Sequence, residues 1–293
     1  VGFLQNFAQV EEISTWQDVS NLNPEEVMTR VYGTLKPYNP NLLGGYFVAG
    51  LPALFGMSAY FAVEKKFKSL VISLLLTLIS VIALFLTGCR GSYIGCMVIF
   101  AGIFAVSAKY LWKNYKKIYL SFVAFCFAMF TSAILFVSSL RARVLSIFAM
   151  RQDSSNSFRF NVYQSSIQMF KDNWLLGIGV GNKNFREIYG LYMRTGFDAL
   201  SAYNIFLETA VESGIFALIA FLGFLFVLIK NSIEFILKSL DIKKVIFVSS
   251  ALISICAVMV HGFVDTVFFR PQIQFVFWMM VAVISSCVHK ENV

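Results

Sequence analysis

Arginine is the residue type in this chain best suited to chemistry, and its placement is lopsided. Threading the apolar segments alternately through a bilayer puts all nine arginines on one side: Arg30, Arg90, Arg141, Arg143, Arg151, Arg159, Arg186, Arg194 and Arg270. Twelve of the fifteen lysines fall on the other. The lysine side reads as cytoplasm by the positive-inside rule. Arginine on the far side is not needed for orientation. Its planar, permanently charged fork matches carboxylate and phosphate, which points to an anion handled there. The twelve lysines face four acids, so the whole formal charge of +8 lies on the lysine side. The basic character is a topology signature and not a sign of nucleic-acid binding.

Arg90 lies in Gly88-Cys89-Arg90-Gly91, a short connection between two apolar runs. An arginine there is costly to desolvate and is expected to have a partner. The flanking glycines would let a bulky anion approach the backbone, whereas a snorkelling charge is the structural alternative. Arg30 precedes a Pro/Asn turn cluster at 36–41 on the same side. Arg159 stands in an amphipathic run, 157–169, expected to lie along the membrane surface; it either binds an anion or occupies the wet face. Gly177, Gly179 and Gly181 alternate in Leu175-Leu176-Gly177-Ile178-Gly179-Val180-Gly181-Asn182, which forms either an anion-binding nest or a plain turn. No βαβ unit surrounds them, so they are not a dinucleotide fingerprint.

His261 and Asp265 are four apart and are expected on one helix face. Asp265 would either orient the imidazole for acid–base work or neutralise Arg270. Glu208 and Glu212 open the fifth expected helix, where acids suit the dipole. The five cysteines, an odd number without metal-like spacing, read as small apolar packing residues. No zinc, P-loop or Ser-His-Asp pattern occurs, so neither a metal nor a cofactor is expected.

The elements that must hold these groups are membrane helices. At 58% hydrophobic, with thirty-two phenylalanines, the chain is an all-α polytopic membrane protein. Apolar spans are expected at 42–63, 69–87, 92–108, 118–138, 214–229, 245–266 and 271–288, about seven helices, each long enough for the hydrocarbon core or nearly so. The fifth is short, and its helix should begin near Ile205. Residues 1–41 form an external segment and 42–138 carry helices one to four. A long external loop at 139–204 contains the amphipathic helix, and 205–293 carry helices five to seven. A loop that long is not an idle linker. With its polar start at Val1, the chain is expected to be the C-terminal part of a longer protein.

Four stretches carry a family resemblance. They are Arg30-Val31-Tyr32-Gly33-Thr34-Leu35 with Asn39-Pro40-Asn41; Leu86-Thr87-Gly88-Cys89-Arg90-Gly91; Arg159 followed by Leu176-Gly177-Ile178-Gly179-Val180-Gly181-Asn182; and Ser201-Ala202-Tyr203-Asn204-Ile205-Phe206-Leu207-Glu208. In that order they resemble the O-antigen ligase and polymerase superfamily over nearly the whole chain. Val264-Asp265-Thr266-Val267-Phe268-Phe269-Arg270-Pro271-Gln272 is similar to the signature of its cyanobacterial inorganic-carbon (bicarbonate) transporter branch.

The resemblance implies a multi-pass protein of the bacterial inner (plasma) membrane with its long loop on the non-cytoplasmic side. It implies metal-independent transfer of a glycan from a polyprenyl diphosphate to an acceptor, with Arg90 and Arg159 holding the diphosphate. Arg30 and Arg270 complete the expected anion set. The ligases use a histidine of the long loop as base. This chain departs there, with Tyr203 before Asn204, and an ordinary phenol near ~10 is a poor base at neutral pH. Tyr203, or His261 with Asp265, is the candidate replacement. The favoured expectation is binding of a diphosphate-lipid-linked glycan at the outer face, with glycan transfer as the reaction it would serve; the alternatives are bicarbonate transport, directly or as an accessory, and non-catalytic lipid-diphosphate binding. The expected partners are membrane lipid and either the lipid-linked glycan or bicarbonate.

Overall fold

A computed structural model of the chain describes Gln5, residues 30–149 and residues 154–289. Arg151, Lys290 and nearly all of the expected external segment before Arg30 lie outside the described residues. The described residues form helices and carry no strand.

Helix α1 (Pro40–Val63) starts where Asn39 accepts from the Asn41 amide at 2.7 Å and Pro40 supplies a preset φ. It is followed by α2 (Phe67–Leu86) and α3 (Arg90–Phe136). The 47-residue α3 breaks at Tyr115 (φ −129°, ψ 28°). The Tyr119 hydroxyl donates to the Phe104 carbonyl at 2.7 Å, although a straight helix would separate these residues by about 22 Å along its axis. Phe130 likewise stacks near Phe85, which also meets Tyr93. The arms 90–114 and 116–136 therefore fold back on each other and cover the third and fourth expected apolar runs, 92–108 and 118–138. Among the described residues six helices are long and apolar enough to span a membrane.

After α4 (Ser138–Leu145), α5 (Ser154–Asp172) and α6 (Asn182–Tyr189) come α7 (Ile205–Lys238), α8 (Ile242–His261), a 3₁₀ turn at Val267–Phe269 and α9 (Pro271–His289). Helix α8 is the most buried of the spans and packs on α1, α3, α7 and α9. The expected helix over 245–266 ends at His261 with Gly262 as its cap, so His261 and Asp265 do not share a helix face.

Charge separates along the bundle. At one end Glu64 pairs with Lys66 and Lys243. Arg30, Arg90, Arg143 and Arg159 gather at the other.

The long connection is a second small core. Val162, Ser165, Ser166 and Met169 recur at helical spacing along α5 and are buried. Val162 and Met169 join Phe185, Tyr189, Ala199, Ala202 and Val211 of α7 in that core. The buried face of α5 is thus covered by protein, not laid on lipid as its amphipathic pattern suggested. Asn204 anchors this cap to the bundle: its side-chain Oδ1 accepts from the Phe206 and Leu207 amides at 3.0 Å, and its Nδ2 donates to Phe263 O at 3.1 Å. Asn204→Ala should lower stability by about 1 kcal/mol, read as a lower thermal midpoint in detergent.

Candidate functional site

The charged end holds a cavity of about 260 Å³. Four arginines from four segments line it, together with Tyr203, Asp265, Asn39, Asn41, Cys89, Ser155 and Phe158. Arg30 lies in the extended segment before α1, which is pinned by Val31 N donating to Leu86 O at 3.1 Å. Its Nε donates to Thr87 O at 2.8 Å and its Nη2 to Asn41 Oδ1 at 2.6 Å. Arg90 is the first residue of α3, and its Nη1 donates to the carbonyl and hydroxyl of Ser146, both at 3.2 Å. Arg143, on α4, donates from Nε to Gly88 O at 2.7 Å. Arg159, on α5, donates from Nη1 to Ser155 Oγ at 2.8 Å and lies 5.9 Å over the Tyr203 ring. Its Nε is buried without a hydrogen-bond partner among the described residues.

Among the described residues lining the cavity, Asp265 is the carboxylate beside the four guanidinium groups. Asp265 accepts from Asn41 Nδ2 at 2.8 Å and from the Thr266 and Val267 amides at 2.8 and 3.2 Å. Its nearest cation is Arg159, at 3.9 Å. It neither pairs with Arg270, which is exposed and off the cavity, nor holds His261. His261 is buried behind the wall with Nε2 3.5 Å from Cys89 Sγ.

The electrostatic strain is legible in the arginines. Desolvation lowers the Arg30 guanidinium. Arg143 is pushed down to about 9 by desolvation first and then by Arg30 and Arg90. A guanidinium does not release its proton in a protein, so the shift reflects the cost of burying these charges, and for Arg143 of crowding them, which a bound anion relieves. A saturating anion at a hundred times its Kd would stabilise the fold by about 2.7 kcal/mol. Millimolar inorganic pyrophosphate should therefore raise the thermal midpoint, and Arg143→Gln should remove most of that rise.

The cavity brings together Arg30, Arg90, Arg159, Tyr203 and Asp265 from the expected set. Gly177, Gly179 and Gly181 are not in it. The Gly177 amide donates to Asn173 O at 2.9 Å within the cap, and the Gly179 and Gly181 amides donate to Glu212 O and Oε1, both at 3.0 Å, which latches the cap to α7. Gly91 does not open the backbone to a ligand either. A Cβ there would sit 2.8 Å from His261 Nε2, so its role is a close helix–helix approach. Sequence reasoning missed Arg143 and Cys89 as cavity residues. The one available signal for Arg143 was the arginine density just after the fourth span. Among the described residues no cluster of His, Cys, Asp and Glu could hold a metal.

Residues 75–222, half of the 293-residue chain, match the O-antigen ligase family. The chain belongs to that family. No curated protein matches it. The matched stretch of this O-antigen ligase family member includes Arg90, Arg143, Arg159 and Tyr203, while Arg30 and Asp265 reach the cavity from outside it.

Proposed function

We propose that this protein binds a polyprenyl-diphosphate-linked glycan in the arginine cavity and transfers the glycan to an acceptor. One observation carries this reading: Arg30, Arg90, Arg143 and Arg159, from four separate segments, line a single cavity. A diphosphate supplies the charge and the acceptor oxygens that guanidinium forks match. In an inverting transfer, an acceptor hydroxyl attacks the anomeric carbon and the bond to the diphosphate oxygen breaks. The arginines then stabilise charge gathering on the leaving group.

Tyr203 is a contact for the substrate more than a base, because burial first and Asp265 second push its phenol above the ordinary value. Asp265 is held in place by three donors, two on Oδ1 and one on Oδ2. Rate at this site accordingly comes from leaving-group stabilisation. The lysine-rich end lies in the cytoplasm and the arginine end beyond the inner membrane, on the charge bias.

Native mass spectrometry of the protein in mild detergent, beside Arg90→Ala, tests the reading. The expected result is a co-purifying polyprenyl diphosphate that the variant loses. If neither sample carries such a lipid and added polyprenyl diphosphate does not bind, the reading fails. Labelled bicarbonate flux in proteoliposomes then tests the transport alternative. Binding without transfer to any acceptor marks a lipid-diphosphate-binding protein that is not an enzyme.

A further inference from the structure

We propose that Cys89 and His261 form a reactive thiol–imidazole pair in the wall of the arginine cavity, a modification site for small anionic electrophiles and peroxides. Cysteine here departs from the packing role its sequence context suggests. Cys89 lines the cavity, while its Sγ lies 3.5 Å from His261 Nε2. It is also the N-cap residue of α3, where the positive end of the helix dipole favours a thiolate. Arg30, Arg90 and Arg143 share the cavity with it. The other four cysteines are in the spanning helices α3, α8 and α9, none of them at a helix N-terminus.

The seat of the imidazole is built into the backbone. Gly91 and Gly45 both leave room for it: a Cβ on Gly45 would lie 3.3 Å from His261 Cε1, and one on Gly91 nearer still to the ring. Burial alone would push the Cys89 thiol up. The hydrogen bond and charge of His261, with Arg30 beyond, outweigh burial and the opposing charge of Asp265 and bring the thiol down to about 7. The groups facing this site are Arg30 from the N-terminal segment, Arg90 and Tyr93 from α3, Arg143 from α4, Arg159 from α5, and His261 and Asp265 from α8 and the turn after it.

With iodoacetate, the thiol proton passes to His261 Nε2 and the sulfur attacks the methylene carbon. The C–S bond forms as the C–I bond breaks, and iodide leaves with the bonding pair. With hydrogen peroxide, the sulfur attacks one oxygen and the O–O bond breaks. Sulfur is oxidised to the sulfenic acid, and the second oxygen leaves as water after taking the proton from His261. Either product places a bulkier group in the space an anion would fill.

The test is alkylation of the detergent-purified protein with iodoacetate and with iodoacetamide, each site followed by peptide mass spectrometry. Cys89 should react before the other four cysteines. It should also favour the anionic reagent by about tenfold, as a thiolate beside arginines does. His261→Gln should slow both reagents. Should that variant fail to fold, the pH profile of the unmodified protein decides: the rate should rise through about 7 and not the ~8.5 of an ordinary thiol.

Cys89 that is inert until the protein is unfolded, or that prefers the neutral reagent, overturns the proposal. An unchanged rate in folded His261→Gln overturns the pairing. Protection by millimolar pyrophosphate rests on the anion-binding reading above. A reactive, iodoacetate-preferring Cys89 that pyrophosphate does not protect refutes that reading and leaves the pair standing.

Discussion

Arg90→Lys should lower glycan transfer, or the affinity for pyrophosphate if transfer is not assayed, by about 10²- to 10³-fold, in the range for removing one donor from a preorganised charge-stabilising site. The substitution keeps the positive charge, so a purely coulombic site would barely notice it. The geometry says otherwise. Arg90 already uses Nη1 on the Ser146 carbonyl and hydroxyl, which orients the planar group. A lysine is a point charge on a flexible stem and cannot hold Ser146 and present a second aligned donor at once. Arg270→Lys is the matched control: Arg270 is exposed and off the cavity, so its replacement should leave transfer and binding unchanged. Equal losses in both variants would sink the cavity as the site.

Gly214→Ala should cost about 3 kcal/mol or more, the range for a backbone conformation reserved for glycine combined with a backbone clash. Gly214 interrupts α7 at φ 79° and ψ −179°. A Cβ there would collide with the Leu175 carbonyl group, 2.7 Å from its carbon. The break is where the cap locks onto the bundle, with Ile178 N donating to Val211 O at 2.9 Å and Ile215 N to Trp174 O at 2.8 Å. Gly177 fits from the other side, since a Cβ on it would lie 2.6 Å from Ser213 N. Gly223→Ala on the same helix is the control, because nothing lies within 4 Å of its Cβ position and alanine is the better helix former. Loss of the monodisperse folded peak in size-exclusion chromatography for Gly214→Ala, but not for Gly223→Ala, is the expected pair. A stable Gly214→Ala protein would show that the latch does not hold the cap.

The amino-acid sequence by itself determined the membrane architecture of this protein. Long apolar runs must become helices in lipid, because every backbone polar group has to be satisfied within the segment. Lysine clusters mark one end of those helices and arginines the other, since charge resists burial wherever the run stops. The motifs shared with the O-antigen ligase family were also legible, and Arg30, Arg90, Arg159, Tyr203 and Asp265 do meet at one cavity.

Other features depended on contacts between residues far apart in the chain, which no local pattern encodes. Arg143 enters the cavity because Gly88, 55 positions earlier, accepts its Nε. Asp265 turns to Asn41, 224 positions away, and not to Arg270 or His261, because α8 ends before the aspartate and frees it from the helical register. His261 meets Cys89 because Gly91 lets two helices approach closely. The amides of Gly179 and Gly181 turn to Glu212 because the break in α7 offers its carbonyl and carboxylate there, while the Gly177 amide turns to Asn173 O within the cap. Helix formation is a local property read from periodicity and propensity. The partner of a polar group in a buried site is settled only when separate helices pack and every donor must find an acceptor.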